Sequence, residues 1–109
     1  MLSLMDSIKK FEKTVKICLK ELHEDAYIVL AEPTTYQMFE LQEVAKENNT
    51  MKIVEWYKKN LPSLIREHCF DEKNNEVVIA NLFDNFHLFE KIIEEYGTFL
   101  SKSETSKKK

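Results

Sequence analysis

The chain has 109 residues, a hydrophobic fraction of 43% and a formal net charge of −3. These values predict one globular domain without the broad basic field that would hold a nucleic acid backbone. Its single glycine, Gly97, excludes the glycine-rich phosphate loops of P-loop proteins and dinucleotide-binding enzymes.

Residues 1–13 predict either a short amphipathic helix that docks on the domain or a frayed arm. Leu4, Ile8 and Phe11 fall at helical spacing, which favours the helix. The segment has no long apolar core, so we expect neither a signal peptide nor a membrane span, and no membrane partner.

Residues 14–31 predict a β-hairpin. The first strand alternates, with Val15, Ile17 and Leu19 on one face, while the polar stretch HEDA forms the loop. Cys18 lies in this apolar run, far from Cys69 and without a CxxC motif. We therefore expect Cys18 to be a buried free thiol, with a disulfide as the second interpretation.

The stretch AEPTTYQMFELQ marks a switch from strand to helix. Pro33 cannot donate to a strand ladder, so it ends the hairpin. Thr34 and Gln37 have the spacing of a capping box and predict a helix over about 35–47. Asn48 and Asn49 predict its end, because asparagine tolerates the left-handed conformation.

Four more helices are predicted, and Pro62 is expected to break the first two apart near Asn60. The polar tail is predicted to be disordered because it has no apolar residue. The predicted fold class is α+β, mainly α, with an N-terminal hairpin followed by four to five helices in one domain over residues 14–100. The remaining predicted ranges are helices 50–60, 62–69, 76–83 and 86–100, and the tail 101–109.

The titratable residues do not form a recognisable catalytic or metal-binding pattern. His68 adjoins Cys69, but neighbours on a helix point about 100° apart and make poor joint ligands. The acidic residues near the hairpin loop lack the spacing of a calcium loop, and no serine has a nucleophile-elbow context. We therefore expect no enzyme activity, no catalytic residues, no metal and no cofactor; His23, His68 and His87 are interpreted as ordinary surface or satisfied histidines.

The chain is rich in aromatic residues, at 11%. Most of them are expected to form the core, but one layer of helices over a hairpin leaves room for an uncovered aromatic face, which would be a protein–protein site. Of the neighbours Trp56 and Tyr57, one is expected at such an interface. The candidate partner-binding residues are Met51, Trp56, Tyr57, Phe86 and Phe99.

The order of these pieces resembles a known family. LAEPT at residues 30–34 leads into a helix, WYKKNLPSLIREHCF follows at 56–70, and DEKNNE joins a VVIANLF helix to FHLFEKIIEEYGTFL at 86–100. In this order the chain resembles the tail assembly chaperones of long-tailed phages, particularly those that infect Gram-positive bacteria. The resemblance covers roughly residues 14–100.

The resemblance implies a non-enzymatic role encoded by a phage or prophage. Such chaperones coat the long, aggregation-prone tape measure protein in the host cytoplasm before the tail tube forms, and they are absent from the mature virion. The implied partners are the tape measure protein, the tail tube protein and further copies of the chain. Weak contacts repeated along a long partner would give occupancy without one sharp binding signature.

Two other functions fit the sequence. The first is a small helical regulator or adaptor of a phage or mobile element; a DNA-binding version would need a basic recognition helix, whereas helices 35–47 and 86–100 carry several glutamates. The second is a subunit of a stable complex that permanently covers the aromatic face.

Overall fold

The computed structural model describes residues 3–107, and the side chains of residues 3–102. Over this range the fold is α+β and mainly helical, as predicted: a three-stranded antiparallel sheet in the order β1-β2-β3 combines with five helices. The elements in chain order are α1 Leu4–Phe11, β1 Thr14–Cys18, β2 Tyr27–Ala31, α2 Thr35–Lys46, α3 Thr50–Leu64, β3 Ile65–His68, α4 Asn75–Phe83 and α5 Phe86–Lys107.

The predicted hairpin forms between β1 and β2, with Ile17 opposite Ile28 and Val15 opposite Leu30. Because side chains alternate along a strand, the residues on the inner face of β1 share one side, and Ile17 and Leu19 are buried there. The hairpin packs against the helices through this apolar face.

The prediction that Cys18 is buried is wrong. Cys18 and Cys69 are both exposed, unpaired thiols. Cys18 has the opposite strand parity to Ile17 and therefore points to the outer face of the sheet. Cys69 follows β3, and its Sγ accepts a hydrogen bond from the Tyr27 backbone N–H at 3.4 Å.

The prediction of a helix over 62–69 is also wrong, because residues 65–68 form the third strand. Ile65 pairs with Leu30 and His68 with Ile28, with a register shift between Val29 and Leu30. The spacing of apolar residues in this segment is helical, but β2 would otherwise leave its second edge without hydrogen-bond partners. Pairing along that edge decides the local structure.

The predicted break at Pro62 does not occur, since α3 runs without interruption to Leu64. Pro62 costs one hydrogen bond to the Lys58 carbonyl, but it lies in the last turn, so only two helical residues follow it and a kink there would displace little of the helix. Nearby side chains also satisfy the carbonyl oxygens at this end. Asn75 Nδ2 donates to the Pro62 carbonyl at 3.1 Å, and Ser63 Oγ donates to the Asn60 carbonyl at 2.8 Å.

The predicted start of α2 at Thr35 is confirmed, and the helix ends at Lys46, one residue before the predicted end. The Gln37 backbone N–H donates to Thr34 Oγ1 at 3.2 Å, and the Thr34 N–H donates to Gln37 Oε1 at 2.9 Å, which completes the capping box. At the other end Asn48 has a φ of 56°, the left-handed conformation that asparagine tolerates.

Helix α5 is longer than predicted, because it continues past Leu100 to Lys107. Residues 101–107 contain neither glycine nor proline, and extending an existing helix requires no new nucleus. This helix replaces the predicted polar tail over residues 101–107, while residues 108–109 of that tail lie outside the described part of the chain.

The core lies between the inner face of the sheet and helices α3, α4 and α5. Tyr96 of α5 is fully buried, and its hydroxyl donates to the carbonyl of Ala31 at the end of β2, at 2.7 Å. The largest fully buried side chains are Tyr96, Ile17, Leu19, Ile28, Leu30, Leu61, Ile79 and Ile92.

Candidate functional site

Two of the predicted partner-binding residues belong to the core. Trp56 is 3% exposed, and its ring meets the Tyr57 ring edge-on at 5.1 Å between centroids. Both side chains can be buried because α3 has three neighbours: α2, α4 and the sheet. Neither ring is therefore presented to a partner in this conformation, contrary to the expectation for one of them.

The other three predicted residues lie near the surface but at separate places. Met51 is exposed in the first turn of α3. Phe86 is exposed at the start of α5, within 6.4 Å of the Phe89 ring centroid. Phe99 is half-buried and lines a cleft of about 290 Å³ together with Val15, Glu95, Thr98 and Lys102. The structure therefore does not bring the five predicted residues together in one site.

Helix α2 carries an exposed aromatic pair that the sequence analysis did not single out as a binding site. Tyr36 is 77% exposed and Phe39 is 61% exposed. The inner side of α2 is held by Gln37, whose Nε2 donates to Asn60 Oδ1 of α3 at 3.0 Å. This contact fixes the outward direction of the pair. The sequence signal for this surface is a pair of aromatic residues three positions apart, because such residues lie on the same side of a helix.

Helix α1 presents a second apolar surface, here named the α1 stripe: Leu4, Ile8 and Phe11. None of the residues of α1 is buried. Glu12 directly follows this helix, and Arg66 donates two hydrogen bonds to its carboxylate. Nε donates to Oε1 at 2.8 Å, and Nη2 donates to Oε2 at 2.7 Å. The hydrogen bonds from Arg66 lower the pKa of the Glu12 carboxyl.

A shallow depression lies beside the loop of the hairpin, here named the loop groove. It comprises a pocket of about 270 Å³ and a second of about 490 Å³, which share Leu22 and Phe70. The floor is apolar, while Asp25 and Glu72 contribute acidic groups to the lining. Its remaining lining residues are His23, Ala26, Cys69, Val78, Asn81, Leu82 and Leu88.

The loop groove has a fixed shape because the hairpin loop is held in place. Lys91 of α5 contacts Glu21 of the loop, with Nζ and Oε1 at 3.0 Å. Within the loop, the Asp25 N–H donates to His23 Nδ1 at 3.1 Å.

The titratable groups serve structural contacts. His68 stacks on Phe70 at 5.8 Å between ring centroids, and its Nδ1 accepts from the Phe70 N–H at 3.1 Å. Burial raises the pKa of both Tyr57 and Tyr96. Across residues 3–107 there is no group of three or more histidine, cysteine or acidic residues placed to hold a metal ion.

Within residues 3–107, every helix is too short or too polar to span a membrane.

Comparison with known proteins gives no match to the chain from a family model, a curated protein or a solved structure. A function for this chain must therefore be argued from its own residues.

Proposed function

We propose that the chain is a non-enzymatic tail assembly chaperone that binds a phage tape measure protein and keeps it soluble during tail assembly. The observation that carries the proposal is the exposed aromatic pair Tyr36 and Phe39 on α2. It supplies the apolar contact surface that the resemblance over residues 14–100 implies.

The aromatic pair suits a helical partner. Tyr36 and Phe39 lie on the same side of α2, one turn apart, so an amphipathic helix can lay its apolar face across them. Tyrosine and phenylalanine offer a large contact area with few rotatable bonds, which limits the entropy lost on binding. Polar neighbours on the outer face, Gln42 and Glu43, keep the apolar patch small.

A small patch favours weak binding and easy release. A typical stable interface buries about 1,600 Å² in total, which two side chains cannot provide. A chaperone that is displaced when the tail tube forms needs such weak contacts. Many copies along one long partner would still cover it, because occupancy depends on the number of sites as well as on single-site affinity.

The proposal extends to the host cytoplasm as the place of action, to absence from the mature virion, and to the tail tube protein as a further contact. The first test reads the gene neighbourhood. An adjoining, very long reading frame for a coiled-coil-like product supports the proposal, and unrelated neighbours argue against it.

The second test co-expresses the chain with that long product and measures how much of the product stays soluble. The double variant Tyr36→Ser/Phe39→Ser should lower the soluble fraction severalfold, while Gln42→Ser, on the same outer face, should leave it unchanged. If the double variant protects the long product as well as the original chain does, α2 is not the contact surface.

Met51 and Phe86 test whether the contact extends beyond α2. Met51→Ser and Phe86→Ser change exposed side chains, so the fold should tolerate both. Loss of binding in either variant would place the partner across α3 or α5 as well. A tight, fixed complex with one partner would instead favour the stable-subunit function, and a gel shift with DNA at low salt would favour the regulator.

A further inference from the structure

Helix α1 has an apolar stripe that the described chain does not cover. Phe11 is 80% exposed, and Leu4 and Ile8 lie on the same side of the helix. The helix is nevertheless positioned, because the salt bridge between Glu12 and Arg66 at 2.7 Å ties its end to β3. An ordered helix with a bare apolar side is a surface suited to a partner.

The loop groove lies at the opposite end of the sheet from α1. Arg66 follows Ile65, which pairs with Leu30, and Leu30 pairs with Val15 at the start of β1. Leu22 and Phe70 instead lie beyond the other ends of β1 and β3. The five residues of β1 span about 17 Å, and the eight residues of α1 span about 12 Å. In this structure α1 is tied through Glu12 to Arg66, at the other end of the sheet from the groove of its own chain.

The charges of the two surfaces are complementary. Lys9 and Lys10 lie in the last turn of α1, one on each side of the helix away from the stripe, and their long side chains outnumber the single acidic residue of the helix, Asp6. The groove is lined by Asp25 and Glu72, and the two loops that carry them contain three further acidic residues and two lysines, so they are acidic overall. A basic apolar helix is therefore matched to an acidic apolar groove, which favours their approach and orientation.

We propose that α1 of one copy binds in the loop groove of a second copy of this chain. Ile8 and Phe11 enter the groove against Leu22 and Phe70, and Lys9 faces the acidic rim. Because each copy carries the two surfaces at opposite ends, the contact is head-to-tail and leaves one α1 and one groove open for further copies.

The exposed area of the chain agrees with this proposal. The accessible surface is 8008 Å², whereas a compact monomer of this mass exposes about 6,300 Å². Helix α1, which has no buried residue, and the extension of α5 past Leu100 both contribute to that excess. Covering its stripe with a second copy removes apolar area from water, and this drives association.

The experiment measures the molar mass of the purified chain by light scattering over a concentration series. The original chain should rise in mass with concentration. Ile8→Ser/Phe11→Ser, which removes the stripe, and Leu22→Lys, which blocks the groove and repels Lys9, should each associate about tenfold or more weakly. Val77→Ser, a change of an exposed apolar residue of α4 outside both surfaces, should associate like the original chain.

Mixing the two defective variants gives the sharpest outcome. The stripe variant keeps its groove and the groove variant keeps its stripe, so an equimolar mixture should form a heterodimer and nothing larger. Circular dichroism and thermal unfolding confirm that each variant is folded.

Three results would overturn the proposal. The original chain could remain a monomer throughout. The groove variant could associate as well as the original chain, which would mean that α1 binds another α1. The mixture could fail to form a heterodimer although both variants are folded, which would mean that the stripe and the groove are not each other's partners.

The rim charges have their own test. Lys9→Glu should weaken association, and its effect should fade at high salt, because the interaction between Lys9 and the rim is screened there. Lys58→Glu, an exposed charge change on α3, should have a much smaller effect. Because these measurements use the chain alone, their failure is distinct from the failure of the proposed function.

Discussion

Tyr96 connects the longest helix to the end of the hairpin through one buried hydrogen bond. Its hydroxyl reaches the Ala31 carbonyl at 2.7 Å, and its ring lies 6.4 Å from that of Tyr57 between centroids. Burial favours the protonated, neutral phenol, which is why the pKa of Tyr96 is raised. The residue therefore combines apolar packing with a polar contact that water cannot replace.

Tyr96→Phe should lower the free energy of unfolding by about 1–3 kcal/mol, because it leaves the buried Ala31 carbonyl without its partner. Urea denaturation measures the change. Tyr36→Phe is the matched control, since it removes an exposed hydroxyl and should alter stability by less than about 0.5 kcal/mol. Equal effects of the two substitutions would contradict the assigned role of the bond.

Trp56→Ala should lower the free energy of unfolding by about 3–5 kcal/mol, because it opens a cavity beside Tyr57 in the core. Met51→Ala changes an exposed side chain of the same helix and should cost little. Chemical denaturation followed by circular dichroism compares the two without relying on tryptophan fluorescence. A Trp56→Ala variant of unchanged stability would mean that this ring is not in the core.

The burial of Trp56 was hard to predict from the sequence. Trp56 and Tyr57 point in different directions on a helix, so one of them was expected to be uncovered. The tertiary structure covers both directions, because α2, α4 and the sheet all contact α3. The Nε1 atom of Trp56 has no hydrogen-bond partner within the described chain, so the ring is retained by apolar packing.

At the scale of elements, local sequence signals succeed where their chemistry is self-contained. The capping box of α2 joins two residues three positions apart, and both of its hydrogen bonds form. The helix predicted over 62–69 instead depends on a distant partner, because residues 65–68 pair with β2. That prediction fails because the deciding contact is not local.

Thr34→Ala should lower the free energy of unfolding by about 1 kcal/mol, because it removes the side-chain acceptor for the Gln37 N–H at the start of α2. Thr35→Ala is a suitable control, as Thr35 is exposed just inside the helix and is not the capping residue. Thermal or urea unfolding of both variants makes the comparison. If Thr35→Ala costs as much as Thr34→Ala, the cap does not account for the loss.

At the scale of the whole molecule, the tie between α1 and the domain depends on pH. Hydrogen bonds from Arg66 hold the folded pKa of Glu12 below its ordinary value of 4.5. The stabilisation is therefore fully present above that value, and it is lost as the pH falls through the lowered, folded pKa. Acid should release α1 from β3 before the core unfolds.

Amide hydrogen exchange over residues 4–12 measures this release between pH 7 and pH 3, after correction for the intrinsic rate. Protection should fall at the acid end in the original chain. Glu12→Gln should show low protection over the whole range, because an amide cannot form the charged pair. Protection that does not depend on pH in the original chain would mean that the Glu12–Arg66 pair does not hold α1.

The candidate surfaces were only partly predictable. The exposure of Met51 and Phe86 fits their selection as surface residues. Tyr36 and Phe39 were not among the predicted contact residues, and the packing of α2 on α3 leaves them exposed. The loop groove had no sequence signal, because its lining comes from four separate parts of the chain.

The sequence by itself determined the hairpin, the limits of α2 and the mainly helical composition, because alternation, capping and helical spacing act within a few residues. The tertiary structure alone decided that Ile65–His68 becomes a strand, that Trp56 and Tyr57 are both buried and that the α1 stripe stays bare. Each of these outcomes depends on hydrogen bonds or apolar contacts between residues that are far apart in the sequence. Those contacts form only when the whole chain packs.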